Sequence, residues 1–129
     1  MTLRIVRLGS PRAPDEGTRI GTVRRPPRGV PKEQFAAQDW YDVGYPNRSP
    51  SPETVQFAHT ARTPQDWAAF VQRYRHEMST PENRHSIALL ARLSQEGNFS
   101  VGCYCEDEAH CHRATLRELL AEAGAKINT

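Results

Sequence analysis

The chain has 129 residues, 25% charged and 37% hydrophobic, a length that suits one core and a composition too apolar for a disordered tail. Its net charge of +2 excludes the strongly basic kind of domain that coats nucleic acid. Residues 1–33 nevertheless hold eight Arg or Lys against three Asp or Glu, so a mild basic patch stays open.

No apolar run approaches the roughly 20 residues of a membrane helix, and the amino-terminal residues lack the apolar stretch of a secretory signal. The three cysteines all fall within Cys103–Cys111. An odd, tightly clustered set is a poor disulfide framework and suits a reducing cytoplasm, which is the expected location.

In chain order, Leu3 to Leu8 alternates apolar and charged residues in part and reads as a first strand. Gly9 to Gly17 reads as a loop, and Ile20-Gly21-Thr22-Val23 as a second strand. The following run Arg24 to Lys32 holds three prolines, which remove backbone donors and exclude helix or sheet interior. Trp40-Tyr41-Asp42-Val43 is a third strand, and Gly44–Pro52 is irregular. The segment 44–62 reads as a loop, either a lid over a site or padding.

The second half is more regular. Thr63-Pro64-Gln65-Asp66 sets a hydroxyl at the N-cap, proline at the first helical position and a carboxylate three after the cap. Trp67, Phe70, Val71, Tyr74 and Met78 then form one apolar stripe at helical spacing. Thr80-Pro81-Glu82 repeats the start signal for a helix carrying Ile87, Leu90, Ala91 and Leu93, with Gly97 as its stop. Phe99 to Tyr104 reads as a central strand in which Gly102 marks close approach of another element. The last helix covers Cys111–Ala123, with Gly124 at its end.

This alternation predicts an α/β fold: a small, mostly parallel sheet covered by helices, in a single three-layer domain over 1–129. Its amino-terminal half (1–62) is loop-rich, and 63–124 is helix–strand–helix. Ligands of such sheets bind outside the carboxyl ends of the strands. There the basic Arg24–Lys32 loop would meet the cysteine-rich approach to the last helix.

That approach reads Cys103-Tyr104-Cys105-Glu106-Asp107-Glu108-Ala109-His110-Cys111-His112-Arg113. A helix start attracts anions, Arg113 supplies a clamp, and Arg28 and Lys32 close from the other loop. A cysteine there has a lowered pKa, which makes Cys105, Cys111 and His112 the candidate catalytic groups. Seven residues separate Cys105 from Arg113, against the five of cysteine phosphatases, and this spacing argues against that mechanism.

Two other chemistries use the same residues. The cysteines with His110 and His112 are zinc- or iron-type ligands, although a Cys-x-Cys followed by Cys-His is unusual spacing. Cys105 and Cys111 are also a candidate redox pair, without a Cys-x-x-Cys motif. The purely structural reading makes Cys103 a small buried apolar residue and pairs Arg113 with Glu118 or Glu106.

The order Pro27-Arg28-Gly29-Val30-x-Lys32-Glu33, then Trp67-x-x-Phe70-x-x-x-Tyr74-x-x-Glu77, then Cys105-Glu106 running on to Cys111-His112-Arg113, resembles the YeaO-like proteins of the DUF488 family. The likeness spans roughly residues 3–122. It departs at Arg24-Arg25-Pro26-Pro27-Arg28-Gly29, which lacks the aspartate and tryptophan of the family's Asp-Arg-x-Trp-Pro-Arg-Gly run. The resemblance implies an α/β fold and a small cytoplasmic bacterial or archaeal protein, and no particular reaction.

The functional expectation is a site for a small anionic ligand, a nucleotide or phosphorylated metabolite, held by Arg28, Lys32 and Arg113. A metal or thiol-redox protein, or a nucleic-acid-associated module, are the alternatives. No cofactor is specified and no membrane is expected. A homodimer through Trp40, Tyr41 and Tyr45 stays open.

Overall fold

The computed structural model describes residues 2–105 and 111–128. Four strands, β1 (Leu3–Arg7), β2 (Thr18–Gly21), β3 (Val43–Gly44) and β4 (Phe99–Cys103), form one sheet in the order β1-β4-β2-β3. Every pairing is parallel, with Ile5, Val101 and Ile20 in one row and Val6, Gly102 and Gly21 in the next. Four helices complete an α/β fold: α1 (Pro52–Thr60), α2 (Pro64–Met78), α3 (Pro81–Leu93) and α4 (His112–Glu122).

Because side chains alternate along a strand, the register sends Leu3, Ile5, Ile20, Phe99, Val101 and Cys103 to one face. Tyr74 and Met78 of α2, Ile87 and Leu90 of α3, and Leu116 and Leu120 of α4 bury that face in one core cluster. Each such side chain taken fully from water contributes about 1.5–3 kcal/mol. The opposite face carries Arg19, Ser100, Gly21 and Gly102, and the connecting segments cover it. An added Cβ on Gly102 would lie 2.4 Å from the Val6 carbonyl oxygen, so the close approach expected there is that of β1.

The helix starts follow the sequence signals. Thr63 and Asp66 form a capping box at α2, and the Thr80 hydroxyl accepts from the Asn83 N–H at α3. Gly124, at φ 97°, ends the last helix as expected. The stop of α3 falls at Ser94 rather than Gly97, one turn earlier.

Other expectations are corrected. The segment 44–62 is not a loop, because it contains α1. Its start, Ser51-Pro52-Glu53, carries the same cap-and-proline signal as the later helices, with the Ser51 hydroxyl accepting from the Thr54 N–H. Only Thr54 of this helix is buried, so no apolar stripe advertises it. Polar bonds hold it instead: the Ser51 and Thr54 hydroxyls donate to Glu77 Oε2 of α2 at 2.7 and 2.6 Å.

The second strand begins two residues early, at Thr18, which pairs with Phe99. The third shrinks to Val43–Gly44 because Asp39, at φ 62°, reverses the chain and turns Trp40 and Tyr41 inward. Trp40 then packs over Gly9 and Tyr41 over Gly21, and both rings are half-buried. No helix among the described residues is long and apolar enough to cross a membrane.

Candidate functional site

In a parallel sheet all strands end at one edge, and here that edge gathers residues 8–10, the loop after β2 and the segment after β4. The expected meeting of the basic loop and the cysteine-rich segment therefore follows from β2 and β4 lying side by side.

A cleft of about 1100 Å³ opens at this edge. Arg7, Gly9 and Ser10 line it from one side, Arg25 and Arg28 from the other, with Trp40 and Tyr104 as aromatic walls. The Tyr104 hydroxyl donates to the Arg25 carbonyl oxygen at 2.7 Å, and Trp40 meets the Tyr104 ring edge-on at 5.8 Å. No carboxylate pairs with Arg25 or Arg28 among the described residues. Lys32 lies in the turn Lys32–Gln34, outside the cleft lining.

Cys105 follows Tyr104 directly and is the exposed cysteine, while Cys103 at the end of β4 and Cys111 at the N-cap of α4 are buried. All three are free thiols, and the Sγ atoms of Cys103 and Cys111 lie 2.6 Å apart. Hydrogen bonds from Cys103, then from Cys111, outweigh burial and hold Cys105 well below the ordinary thiol range, and the charge of nearby Arg113 acts in the same direction. The same bond to Cys105, then contact with Cys111 and burial, pushes Cys103 up. Cys111 is drawn down by Cys103, but its bond to Cys105 and its burial prevail and push it up to about 11. Of the three, the exposed Cys105 is thus the one drawn toward the thiolate.

Arg113 is 3% exposed and donates from Nη2 to the Cys105 carbonyl oxygen at 2.6 Å. Its Nε has no acceptor, and among the described residues no carboxylate pairs with it. Glu118 is paired with Arg75 instead, at 2.9 Å, so that expected partner is excluded by position. A buried cation is costly without an anion nearby.

His112 lies beneath the cysteines, with its ring edge-on to Tyr74 at 5.5 Å. Its Nε2 is 3.1 Å from the Thr22 carbonyl oxygen and 3.2 Å from Thr22 Oγ1, which itself donates to the Gly102 carbonyl. Both Thr22 atoms must therefore accept, which assigns the proton to Nε2 and leaves Nδ1 bare, 3.7 Å from Cys111 Sγ. Burial lowers this imidazole to about 4, so it is neutral at pH 7.

Cys103, Cys111 and His112 also bring donor atoms within 4.8 Å of one another. Two sulfurs and an imidazole are soft and borderline donors of the kind that zinc takes. His110, which the metal reading also used, and the acidic residues Glu106, Asp107 and Glu108 lie outside the described residues.

The structure thus gathers Cys105, Cys111, His112 and Arg113 in one cluster and places Arg28 in the adjoining cleft. Sequence reasoning missed Arg7, Trp40 and Tyr104. Arg7 and Tyr104 end or follow a parallel strand at the edge where ligands bind, which is the signal that points to them. Trp40 reaches the cleft only through the turn at Asp39, which no local pattern marks.

Small parallel α/β proteins with a thiol cluster at the carboxyl edge of the sheet are the class that this fold and site define. Within it, the chain belongs to the DUF488 family: a family model described as the active DUF488-N3 subclade (DUF488-N3a) matches residues 3–124. No curated protein and no solved structure matches it.

Proposed function

We propose that the chain binds a small anionic ligand, a nucleotide or phosphorylated metabolite, in the cleft at the carboxyl edge, beside the thiolate of Cys105. The observation that carries this reading is the cleft itself, where Arg7, Arg25 and Arg28 converge between two aromatic rings. Guanidinium groups bind phosphate bidentately, and aromatic faces accept a base. The volume is of the order that holds a drug-sized ligand. Buried Arg113 supports the thiolate from below as its counter-charge, and Cys111 and His112 are positioning residues under it. The designation of the subclade as active accords with a reactive group at the edge.

Calorimetric titration of the reduced protein with ribonucleoside mono- and diphosphates and inorganic phosphate tests the reading. Saturable binding is expected. Replacing Arg25 and Arg28 together by alanine is expected to weaken it at least about tenfold, since a hydrogen bond to a charged group contributes about 1.5–3 kcal/mol. Lys32→Ala, outside the lining, is expected to change it less than about twofold. Equal losses in both variants would contradict the cleft as the site. Binding of duplex DNA that weakens steeply with salt, with no nucleotide binding, would favour the nucleic-acid module instead.

A further inference from the structure

Cys103, Cys111 and His112 do not line the cleft, and local structural duties do not account for their meeting. Helices α1, α2 and α3 are capped by the hydroxyls of Ser51, Thr63 and Thr80, whereas α4 starts at Cys111, whose sulfur is a weak acceptor. That sulfur instead touches the one of Cys103, the last residue of β4. Two neutral thiols gain little from such a contact.

We infer that Cys103 Sγ, Cys111 Sγ and His112 Nδ1 form a binding site for one zinc-type divalent cation. All three residues are buried, and their donor atoms lie within 4.8 Å of one another. The histidine distinguishes this set from a chance meeting of thiols. It is 8% exposed, its Nε2 proton goes to the Thr22 carbonyl oxygen at 3.1 Å, and its bare Nδ1 faces Cys111 Sγ at 3.7 Å. Metal-bound histidines are held in this way: one nitrogen donates to a backbone carbonyl, which fixes tautomer and orientation, and the other meets the ion.

The donor set decides the class of ion. Thiolate and imidazole suit zinc and its neighbours, and the set lacks the oxygen donors that calcium and magnesium require. Bonds of about 2.3 Å to both sulfurs hold them about 3.8 Å apart on a tetrahedral ion. Entry of the ion therefore parts the thiols, which stand 2.6 Å apart without it. Each thiol loses its proton to solvent on binding, and the two thiolates then balance the charge of the ion. Three protein donors leave the fourth tetrahedral position to water or another donor. The ion ties the end of β4 to the start of α4, while Thr22, just past β2, steadies the histidine. The inference stands on these three residues and is independent of the anion cleft.

The test is a titration of the reduced chain, freed of metal by a chelator, with cobalt(II), a coloured stand-in for zinc. Saturation at one cobalt per chain is expected, with thiolate-to-cobalt charge-transfer absorption and the intense visible bands of a tetrahedral ion. Both are expected to vanish when one equivalent of zinc displaces the cobalt. Cys103→Ser, Cys111→Ser and His112→Gln are each expected to weaken zinc binding at least about tenfold, since loss of even an outer-shell partner costs about 10- to 100-fold. Where a variant fails to fold, the wild-type spectrum decides.

No cobalt uptake, or a weak octahedral spectrum without charge transfer, would overturn the site, because the second means oxygen ligation elsewhere. Zinc affinity in folded Cys103→Ser or His112→Gln equal to that of the wild type would overturn it as well. Calorimetry of the metal-free protein with nucleotide reads the anion cleft separately, so either reading can fail without the other.

Discussion

Replacing Glu16 by alanine is expected to cost about 3–5 kcal/mol of folding stability, because it strands a buried guanidinium. The Arg19 side chain is 0% exposed, and its Nε and Nη2 donate to the two Glu16 carboxylate oxygens at 2.7 and 3.0 Å. Nη1 donates to the carbonyl oxygens of Ser10 and Asp39 at 2.8 and 2.7 Å. The Ser100 hydroxyl completes the network with a 2.6 Å bond to Glu16 Oε2. This cluster replaces an apolar core on the second face of the sheet.

Its reach extends to the cleft. Arg19 and the Gly9 N–H both bond the carbonyl of Asp39, the residue held at φ 62°, and Trp40 follows directly into the cleft wall. Glu16→Ala is therefore expected to weaken ligand binding as well as folding. Urea unfolding at pH 7 reads the first effect from the midpoint and slope. The double replacement Glu16→Gln with Arg19→Met, which removes both charges, is expected to recover part of the loss. A single-variant loss below about 1 kcal/mol would mean that solvent reaches the pair.

Acid is expected to remove about 3 kcal/mol of stability through His112 alone, between pH 6.5 and about 4. The folded imidazole is depressed to about 4 by burial, while the unfolded one titrates near its ordinary value of 6.5. Across that interval the unfolded chain binds a proton that the native one refuses, so stability is full above pH 6.5 and falls as pH falls. Glu16 adds to the loss at lower pH. Burial alone would raise its pKa, but bonds from Arg19, Ser100 and Ala13 outweigh burial and hold it below the usual carboxylate range. Its contribution is present above the unfolded pKa and is lost as pH falls through the folded one.

Urea unfolding of the wild type and of His112→Gln at pH 7.5, 6, 5 and 4 separates the histidine from the rest. The wild type is expected to lose about 3 kcal/mol more than the variant over this range. Parallel curves, or an imidazole titrating near 6.5 by NMR, would contradict the buried neutral form. The neutral ring matters to the site because its Nε2 proton is committed to Thr22 and its bare Nδ1 faces Cys111.

Much of this was legible in local sequence. Helices α2, α3 and α4 announce themselves by caps, prolines and apolar spacing, and a parallel sheet follows from their alternation with strands. From that topology alone, the Arg24–Lys32 loop and the cysteine segment fall at one edge. What stayed hidden depends on contacts distant in sequence. Helix α1 is anchored by Glu77, 23 residues past Thr54, and its own sequence is nearly without core residues. The buried Glu16–Arg19 pair looks like two more surface charges until Ser10, Asp39 and Ser100 close around it. Lys32 and Arg28 look equivalent in the basic loop, and only the turn at Lys32–Gln34 separates them.

The most direct test of the anion site is the rate of Cys105 alkylation by iodoacetamide in the reduced protein, followed by mass mapping at pH 6 and pH 8, with and without saturating nucleotide. Near-equal rates at the two pH values are expected, within about twofold, and bound nucleotide is expected to slow both at least about fivefold. An ordinary thiol with a pKa of about 8.5 would instead react more than about 50-fold faster at pH 8 than at pH 6. That pH ratio, or alkylation untouched by nucleotide, would contradict a thiolate beside an anion-binding cleft.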